Sequence, residues 1–202
     1  MDSLRVVGMD PSLRNWGIAC GTYNPVTGHM SMEHLDVIQP PIPTGKSVRQ
    51  NSKDLEAAWC LYREALAIGL QAQAVFVEVP VGSQSARAMA SYGICVGVLG
   101  SIRAANVPFF EVTPLEVKTA TVGKKTASKA EMIAWATERF PTARWPYYEK
   151  KGESHISEAK AEHMADAIGA IVAGIRTPPF QQLLPFLQQP TRSSNADPDR
   201  TE

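Results

Sequence analysis

Two apolar segments of this chain each end in a carboxylate with a proline just beyond it. The first covers residues 4–10 and ends at Asp10, and the second covers residues 73–78 and ends at Glu78. Proline has no N–H for a sheet ladder, so each strand is expected to stop at its acid. A single strand-ending Asp indicates only a turn. Two copies of the arrangement indicate a site at the carboxyl edge of a sheet, where open α/β sheets place theirs.

A further pair of candidate residues lies near the end of the chain. His163 and Asp166 are three residues apart in an Ala- and Ile-rich segment, so they share one face of a predicted helix. Both need partners there, because an unpaired buried charge is costly. The two side chains could hydrogen-bond each other at a core edge, or they could join Asp10 and Glu78.

If the four side chains meet, three carboxylates and one imidazole share one edge of the sheet. Carboxylates that close repel each other unless a cation lies among them. Hard divalent ions take oxygen ligands, and an imidazole extends the choice toward Mn²⁺. Such a set suits two ions about 3.5–4 Å apart, which clamp the attacking and leaving oxygens in phosphodiester hydrolysis.

The surrounding pattern predicts an α/β domain with a five-stranded mixed sheet. Strands are predicted at residues 4–10, 16–23, 30–38, 74–77 and 107–112, the first three as a meander. Helical periodicity covers residues 48–70, 85–106, 114–121, 128–140 and 157–175. The strand–helix–strand order predicts that the first and fourth strands are parallel neighbours, which would bring Asp10 and Glu78 together. Residues 141–155 are predicted to be irregular.

Length and composition favour one domain in a reducing, cytoplasmic setting. The 202 residues suit one domain of ordinary size at 1–176, followed by a proline-rich, largely disordered tail at 177–202 in which residues 180–187 dock as one apolar turn. Lys plus Arg and Asp plus Glu number 20 each, so a nucleic-acid surface must be a local patch. No apolar run is long enough to cross a bilayer. The three scattered cysteines are expected to be free thiols.

A local basic patch is present between the fifth strand and the last helix. Residues 115–151 carry eight Lys or Arg against four Glu, an excess of four positive charges. Solvated helix surfaces explain some of these lysines. A loop with Lys124 and Lys125 close to an acidic cluster is better explained by contact with phosphates. Trp145, Tyr147 and Tyr148 lie within the same segment.

Small residues form one stripe of the helix predicted at residues 85–106. They recur at steps of three and four: Ala86, Ala90, Gly93, Gly97, Gly100 and Ala104. Glycine lowers helix stability, so three glycines on one stripe indicate close approach of another backbone. The stripe could pack on the protein's own sheet, or it could form a helix–helix seam between two copies of the chain.

Taken in chain order, these motifs resemble the RuvC family of Holliday-junction resolvases. The matching segments are G-M-D-P-S, the strand ending V-F-V-E, the small-residue helix, V-K-T-A-T-V-G, S-K-A-E and the helix with H-x-x-D, which together span residues 4–175. The resemblance implies an RNase H-like fold with helices on both faces of the sheet. It also implies a homodimeric endonuclease that uses two Mg²⁺ or Mn²⁺ ions to nick symmetric strands of a four-way DNA junction.

The resemblance also assigns roles to residues by motif position. Catalytic and metal-ligand roles fall on Asp10, Glu78, His163 and Asp166; some members have Asp where His163 stands. DNA contacts fall on Lys118 and Lys129, and the helix at residues 85–106 resembles the family's dimer helix. Compactness and the long tail resemble a phage-type member, so the setting would be bacterial cytoplasm or a phage-infected cell. Glu78 is followed by V-P-V-G, whereas family members often carry a stacking aromatic there.

Two other functions fit part of the pattern. An actin-like or sugar-kinase ATPase domain also has an acid after its first strand. Such a domain needs glycine after that acid for phosphate contacts, and Pro11 lacks an N–H, so no nucleotide cofactor is expected. A non-catalytic protein that binds branched DNA could keep the fold, but binding alone would not require acids at three separate places.

Overall fold

A five-stranded sheet forms the centre of the computed structural model, which describes residues 3–45, 47–79, 81, 82 and 84–187. Its strands are β1 (Leu4–Asp10), β2 (Trp16–Tyr23), β3 (Met30–Ile38), β4 (Ala74–Glu78) and β5 (Phe109–Val112). The strand order is β3-β2-β1-β4-β5. The first three strands pair antiparallel, and β4 pairs parallel with both β1 and β5. The predicted meander with two added parallel strands is confirmed.

The described residues form six helices, and the first five follow the predicted periodicity closely. They are α1 (Gln50–Gly69), α2 (Ala86–Ala104), α3 (Pro114–Thr121), α4 (Lys129–Arg139), α5 (Glu158–Gly174) and α6 (Pro178–Leu187). Thr113 and Ser128 start α3 and α4 with capping boxes that use Glu116 and Glu131. In each box the hydroxyl accepts from the backbone N–H of the Glu, and the Glu side chain accepts from the cap's N–H. No helix within the described ranges is long and apolar enough to span a membrane.

The sheet buries an apolar cluster on each face, because successive strand residues point to opposite sides. Val6 and Phe76 face a cluster that includes the apolar side of α5. Val7 and Val75 face the other cluster, which includes residues of α1 and α2. The predicted placement of helices on both faces is confirmed.

Helix α5 lies unusually close to the sheet at two glycines. A Cβ atom at Gly8 would collide with the backbone carbonyl of Ala167, and one at Gly17 would collide with that of His163. The helix backbone therefore contacts the strand backbone directly. This approach fixes the amino-terminal half of α5 over the end of β1.

The prediction that residues 141–155 are irregular is wrong for the second half of that segment. Strands β6 (Tyr147–Lys150) and β7 (Glu153–Ile156) form an antiparallel hairpin. Lys151 and Gly152 make its two-residue loop with φ of 54° and 81°, the left-handed geometry that such loops require. The residues of β6 are all exposed, so they show none of the buried alternation by which a strand is recognised.

The chain also remains folded beyond the predicted domain end at residue 176. Residues 178–187 form α6, and Phe180 is fully buried with its ring 5.0 Å from that of Phe76 and 5.3 Å from that of Phe110. Pro178 suits the first position of a helix, where no N–H is needed. The docking of this apolar segment agrees with the sequence. Residues 188–202 lie outside the described residues, and their disorder stays a prediction.

Candidate active site

Asp10 and Glu78 lie on adjacent strands at one edge of the sheet. Met9 pairs with Val77 in the parallel ladder, so the two acids follow side by side at the carboxyl ends of β1 and β4. Apart from the exposed Arg5, both strands are buried up to their last residue, and each acid is half-buried. The structure thus brings the two strand-ending acids together as the sequence predicts.

His163 reaches the same edge from α5 and hydrogen-bonds Asp10. Its Nδ1 lies 2.6 Å from Oδ2 of Asp10, and the two side chains are 19% and 17% exposed. The hydrogen bond to Asp10 raises the pKa of His163, which favours an imidazolium that donates to a carboxylate. The sequence left open a bond between His163 and Asp166 on their shared helix. Within the described residues, the imidazole pairs instead with Asp10, 153 positions away.

The pKa values of Asp166 and Glu78 are both raised at this edge of the sheet. Burial raises the pKa of Glu78 to about 8, and the negative charges of Asp10 and Asp166 raise it in the same direction. Burial likewise raises the pKa of Asp166 to about 7, with Asp10 and Glu162 adding to the effect. The four predicted side chains therefore form one electrostatically coupled group, here called the acid cluster: Asp10, Glu78, His163 and Asp166.

The donor atoms of the acid cluster suit a hard divalent cation. Carboxylate oxygens and one imidazole nitrogen are ligands for Mg²⁺ and Mn²⁺. A cation would also offset the burial and the repulsion that together keep Glu78 protonated near neutral pH. Among the described residues, no three His, Cys, Asp or Glu side chains already converge as a metal-binding group. The Asp10–His163 hydrogen bond occupies one oxygen and one nitrogen, so an ion using both must replace that bond.

The four predicted DNA-binding lysines differ in their surroundings. Lys118 on α3 is half-buried, and its charge lowers the pKa of both Glu78 and Asp166, which places it beside the acid cluster. Lys124 and Lys129 are held by carboxylates, with Nζ 2.8 Å from Glu131 and 2.6 Å from Glu162, respectively.

Two consequences follow for the basic patch. Glu162 is only 21% exposed and is paired with Lys129. Lys125 is exposed and has no ion pair within the described ranges. Among the described residues, Lys118 and Lys125 thus form no direct ion pair, whereas Lys124 and Lys129 do.

The small-residue stripe of α2 faces outward. Ala86, Ala90, Gly93, Gly97 and Gly100 are all exposed. A Cβ added at any of these three glycines would have no described atom within 4 Å. The helix packs on the protein through another side, formed by Cys95, Val98, Leu99 and Ile102. Of the two explanations that the sequence left open, tight packing on the protein's own sheet is wrong.

An ion pair that sequence reasoning missed joins α1 to α2. Both terminal nitrogens of Arg87 lie 2.6 Å from the two carboxylate oxygens of Asp54, which is 8% exposed. Gln50 donates to the same carboxylate at 2.9 Å. The arginine lowers the pKa of Asp54 by hydrogen bonding, so the pair stays charged. It anchors the first turn of α2, the helix that follows the strand ending in Glu78.

The signal for this pair was present in the sequence. Asp54, Ala57, Leu61 and Ala65 form the buried stripe of α1 at helical spacing. Leu55 and Trp59, larger apolar residues of the next stripe, are 72% and 53% exposed.

No family model matches the chain, and no curated protein matches it. Among solved structures, RuvC of Thermus thermophilus in complex with a Holliday junction substrate is similar, with a TM-score of 0.59 and 19% identity over 84% of this chain and 92% of that one. The yeast mitochondrial Holliday junction resolvase Ydc2 is also similar, with a TM-score of 0.53 and 14% identity over 92% of this chain and 85% of that one. The RNase H-like fold of RuvC proteins is thereby confirmed; a phage-type origin stays a prediction.

Without divalent ions, the acid cluster should make the protein less stable as pH rises. Glu78 and Asp166 have pKa values above their ordinary 4.5 and 3.8, so the native state binds more protons than the unfolded state. Their stabilising contribution is complete below the ordinary values and is lost as pH rises through about 7 to 8. The raised pKa of His163 acts in the same direction.

Urea denaturation in EDTA between pH 5 and 9 measures this effect. The free energy of unfolding of the wild type should fall by at least about 1 kcal/mol more than that of Glu78→Gln. Asp36→Asn, at an exposed position of β3, is the matched control and should follow the wild type. Parallel profiles for the wild type and Glu78→Gln would contradict the electrostatic description of the site.

Proposed function

We propose that this protein is a metal-dependent endodeoxyribonuclease that resolves four-way or related branched DNA by nicking symmetric strands. The observation that carries the proposal is the meeting of Asp10, Glu78, His163 and Asp166, from three distant segments, at one sheet edge. The fold supports it, because solved structures with this fold include RuvC in complex with a Holliday junction substrate and the resolvase Ydc2. Such an enzyme would serve DNA recombination or repair.

The acid cluster is proposed to hold two Mg²⁺ or Mn²⁺ ions. Ions held there would activate the attacking water and stabilise the charge that develops on the leaving oxygen. The chain itself prepares the cluster in two ways. Glu78 and Asp166 are buried, so each becomes fully charged at neutral pH only when a cation offsets their repulsion. His163 holds one oxygen of Asp10 in place until an ion competes for it.

Lysines beside the acid cluster are proposed to bind the DNA backbone. Lys118 already acts on Glu78 and Asp166, so it is positioned to neutralise a phosphate that approaches them. Lys125 is free to contact a neighbouring phosphate. Lys124 and Lys129 would exchange their Glu partners for phosphate when DNA arrives. Such contacts position the DNA without reading its sequence.

A homodimer is proposed to form through the outward stripe of α2. The three glycines leave a flat helix surface with open space beyond it, which permits close approach of a second helix. Two active sites in one dimer would explain how a single complex nicks two symmetric strands of one junction. The free state of Cys20, Cys60 and Cys95 supports action in a reducing compartment, which we propose to be bacterial cytoplasm or a phage-infected cell.

Removing any acid of the cluster should abolish junction cutting. Asp10→Asn, Glu78→Gln and Asp166→Asn each lose a proposed ligand, so the cutting rate should fall at least about 100-fold. EDTA should stop the wild type. Mn²⁺ should support at least the rate given by Mg²⁺, because His163 is a nitrogen ligand, and His163→Asp should shift the preference toward Mg²⁺.

The measurement is cleavage of an end-labelled four-way junction, with a linear duplex and a flap of matched sequence alongside. Glu33→Gln removes an exposed carboxylate of β3 and should cut like the wild type. Cutting that persists in EDTA or in Asp10→Asn would contradict the metal mechanism. Junction binding without any cutting would instead favour a non-catalytic binding protein, and ATP turnover would favour the ATPase alternative.

Replacing one stripe glycine with a large charged residue should separate the dimer. Gly97→Arg points into open space, so the chain should fold normally but sediment as a monomer. On a plasmid with an extruded cruciform, the wild type should give linear product from paired nicks, whereas the variant should give mainly single nicks. Ala67→Arg, at an exposed position of α1, is the control. A monomeric wild type, or a variant that self-associates normally, would contradict the proposed interface.

A further inference from the structure

The hairpin formed by β6 and β7, here called the ribbon (residues 147–156), is anchored firmly at its base. The indole N–H of Trp145, which is 7% exposed, donates to the carbonyl of Phe140 at 3.0 Å. The backbone N–H of Ser157 donates to the carbonyl of Pro146 at 2.8 Å, which closes the base of the ribbon. Ile156 packs against the core cluster on the α5 side of the sheet. The ribbon is thus a projection with a fixed root.

The base of the ribbon lies close to the sheet edge that carries the acid cluster. Its second strand leads directly into α5, whose early residue His163 contacts Asp10. Six residues separate Ser157 from His163, which is roughly 9 Å along a helix axis at 1.5 Å per residue. Four residues in each strand carry the ribbon's turn about 13 Å outward from its base. DNA that reaches the acid cluster therefore comes within reach of the ribbon.

Aromatic rings lie uncovered on both faces of the ribbon. Tyr147 is 60% exposed and Tyr148 is 47% exposed, and as sequence neighbours in a strand they point to opposite faces. Tyr148 shares its face with His155, whose ring centroid is 5.8 Å away at an interplanar angle of 31°. Neither tyrosine belongs to a core cluster, so packing of the core gives no reason for aromatic residues at these two positions.

The charges of the ribbon nearly cancel. Lys150 and Lys151 stand at the turn, while Glu149 and Glu153 lie beside them. Net electrostatic attraction to phosphates is therefore small, and the ribbon's largest capacity for binding DNA lies in its two rings. Aromatic rings stack on bases, but in an intact duplex every base is already stacked between neighbours. A branch point interrupts that stacking and leaves base faces open.

We infer that the ribbon inserts at the branch point of the DNA, where Tyr147 and Tyr148 stack on the open bases. This inference rests on the proposed function and adds a specificity role to it: the ribbon makes the protein prefer branched DNA over linear duplex. The lysines at the turn contact the backbone of the adjoining arm. A two-stranded β-ribbon is narrow enough to fit the major groove of DNA. This ribbon is therefore also narrow enough to enter the opening between the DNA strands at a branch point.

The test compares the full-length wild type with the double variant Tyr147→Ala/Tyr148→Ala. Binding of each protein to a four-way junction and to a linear duplex of the same sequence is measured in EDTA, so that nothing is cut. Stacking on one base is worth roughly 5- to 150-fold in affinity. The double variant should bind the junction at least about fivefold more weakly and the duplex equally. With 2-aminopurine at the branch point, the wild type should change the fluorescence and the double variant should not.

Two further variants make the readout specific to the rings. Tyr147→Phe/Tyr148→Phe keeps both aromatic faces and should restore junction binding and the fluorescence change. Phe186→Ala removes another exposed aromatic ring, which is 67% exposed on α6. This part of α6 lies at the opposite edge of the sheet, where the side chain of Gln73 donates to the carbonyl of Leu187. Phe186→Ala should bind junction and duplex like the wild type.

The outcomes separate this inference from the proposed function. If the wild type prefers and cuts junctions while Tyr147→Ala/Tyr148→Ala keeps the same preference, the inference falls alone. Equal losses on junction and duplex would also overturn it, because the rings would then act in general DNA binding. If the wild type shows no preference for branched DNA, the inference and the proposed substrate fall together.

Discussion

Mutual repulsion among buried acids is the constraint on which the functional edge of this protein depends. Glu78 and Asp166 sit beside Asp10 where apolar strands and a helix exclude most water, so burial opposes the charged forms of Glu78 and Asp166. His163 offsets part of this unfavourable charge, because its imidazolium pairs with Asp10. The positive charge of Lys118 nearby offsets a further part. The remaining unfavourable charge is what a divalent cation would offset, which links the fold directly to the proposed chemistry.

The same edge depends on close contact between α5 and the sheet. Gly8 and Gly17 permit the helix backbone to approach the strands, since any side chain there would collide with a carbonyl of α5. Only with that approach does His163 reach Asp10 across the end of β1. On the other face, the Arg87–Asp54 pair fixes the start of α2 against α1. Specific contacts thus fix helices on both faces of the sheet.

Sequence reasoning located the site because its determinants are local. Proline after a carboxylate ends a strand, and the strand–helix–strand order makes β1 and β4 parallel, so the meeting of Asp10 and Glu78 follows from short-range pattern and chain topology. The hydrogen-bond partner of His163 could not be predicted in this way, because its bond to Asp10 depends on how α5 packs against a strand residue 153 positions away. The burial of Asp54 in α1 was not predicted either, because it depends on an ion pair with Arg87, 33 positions away.

Titration of the wild type and of Asp10→Asn with Mn²⁺, followed by electron paramagnetic resonance of the free ion, tests the shared-ion site most directly. The proposal predicts saturable binding of two ions per chain in the wild type and the loss of at least one of them in the variant. Absence of saturable binding in the wild type, or identical binding by both proteins, would contradict it.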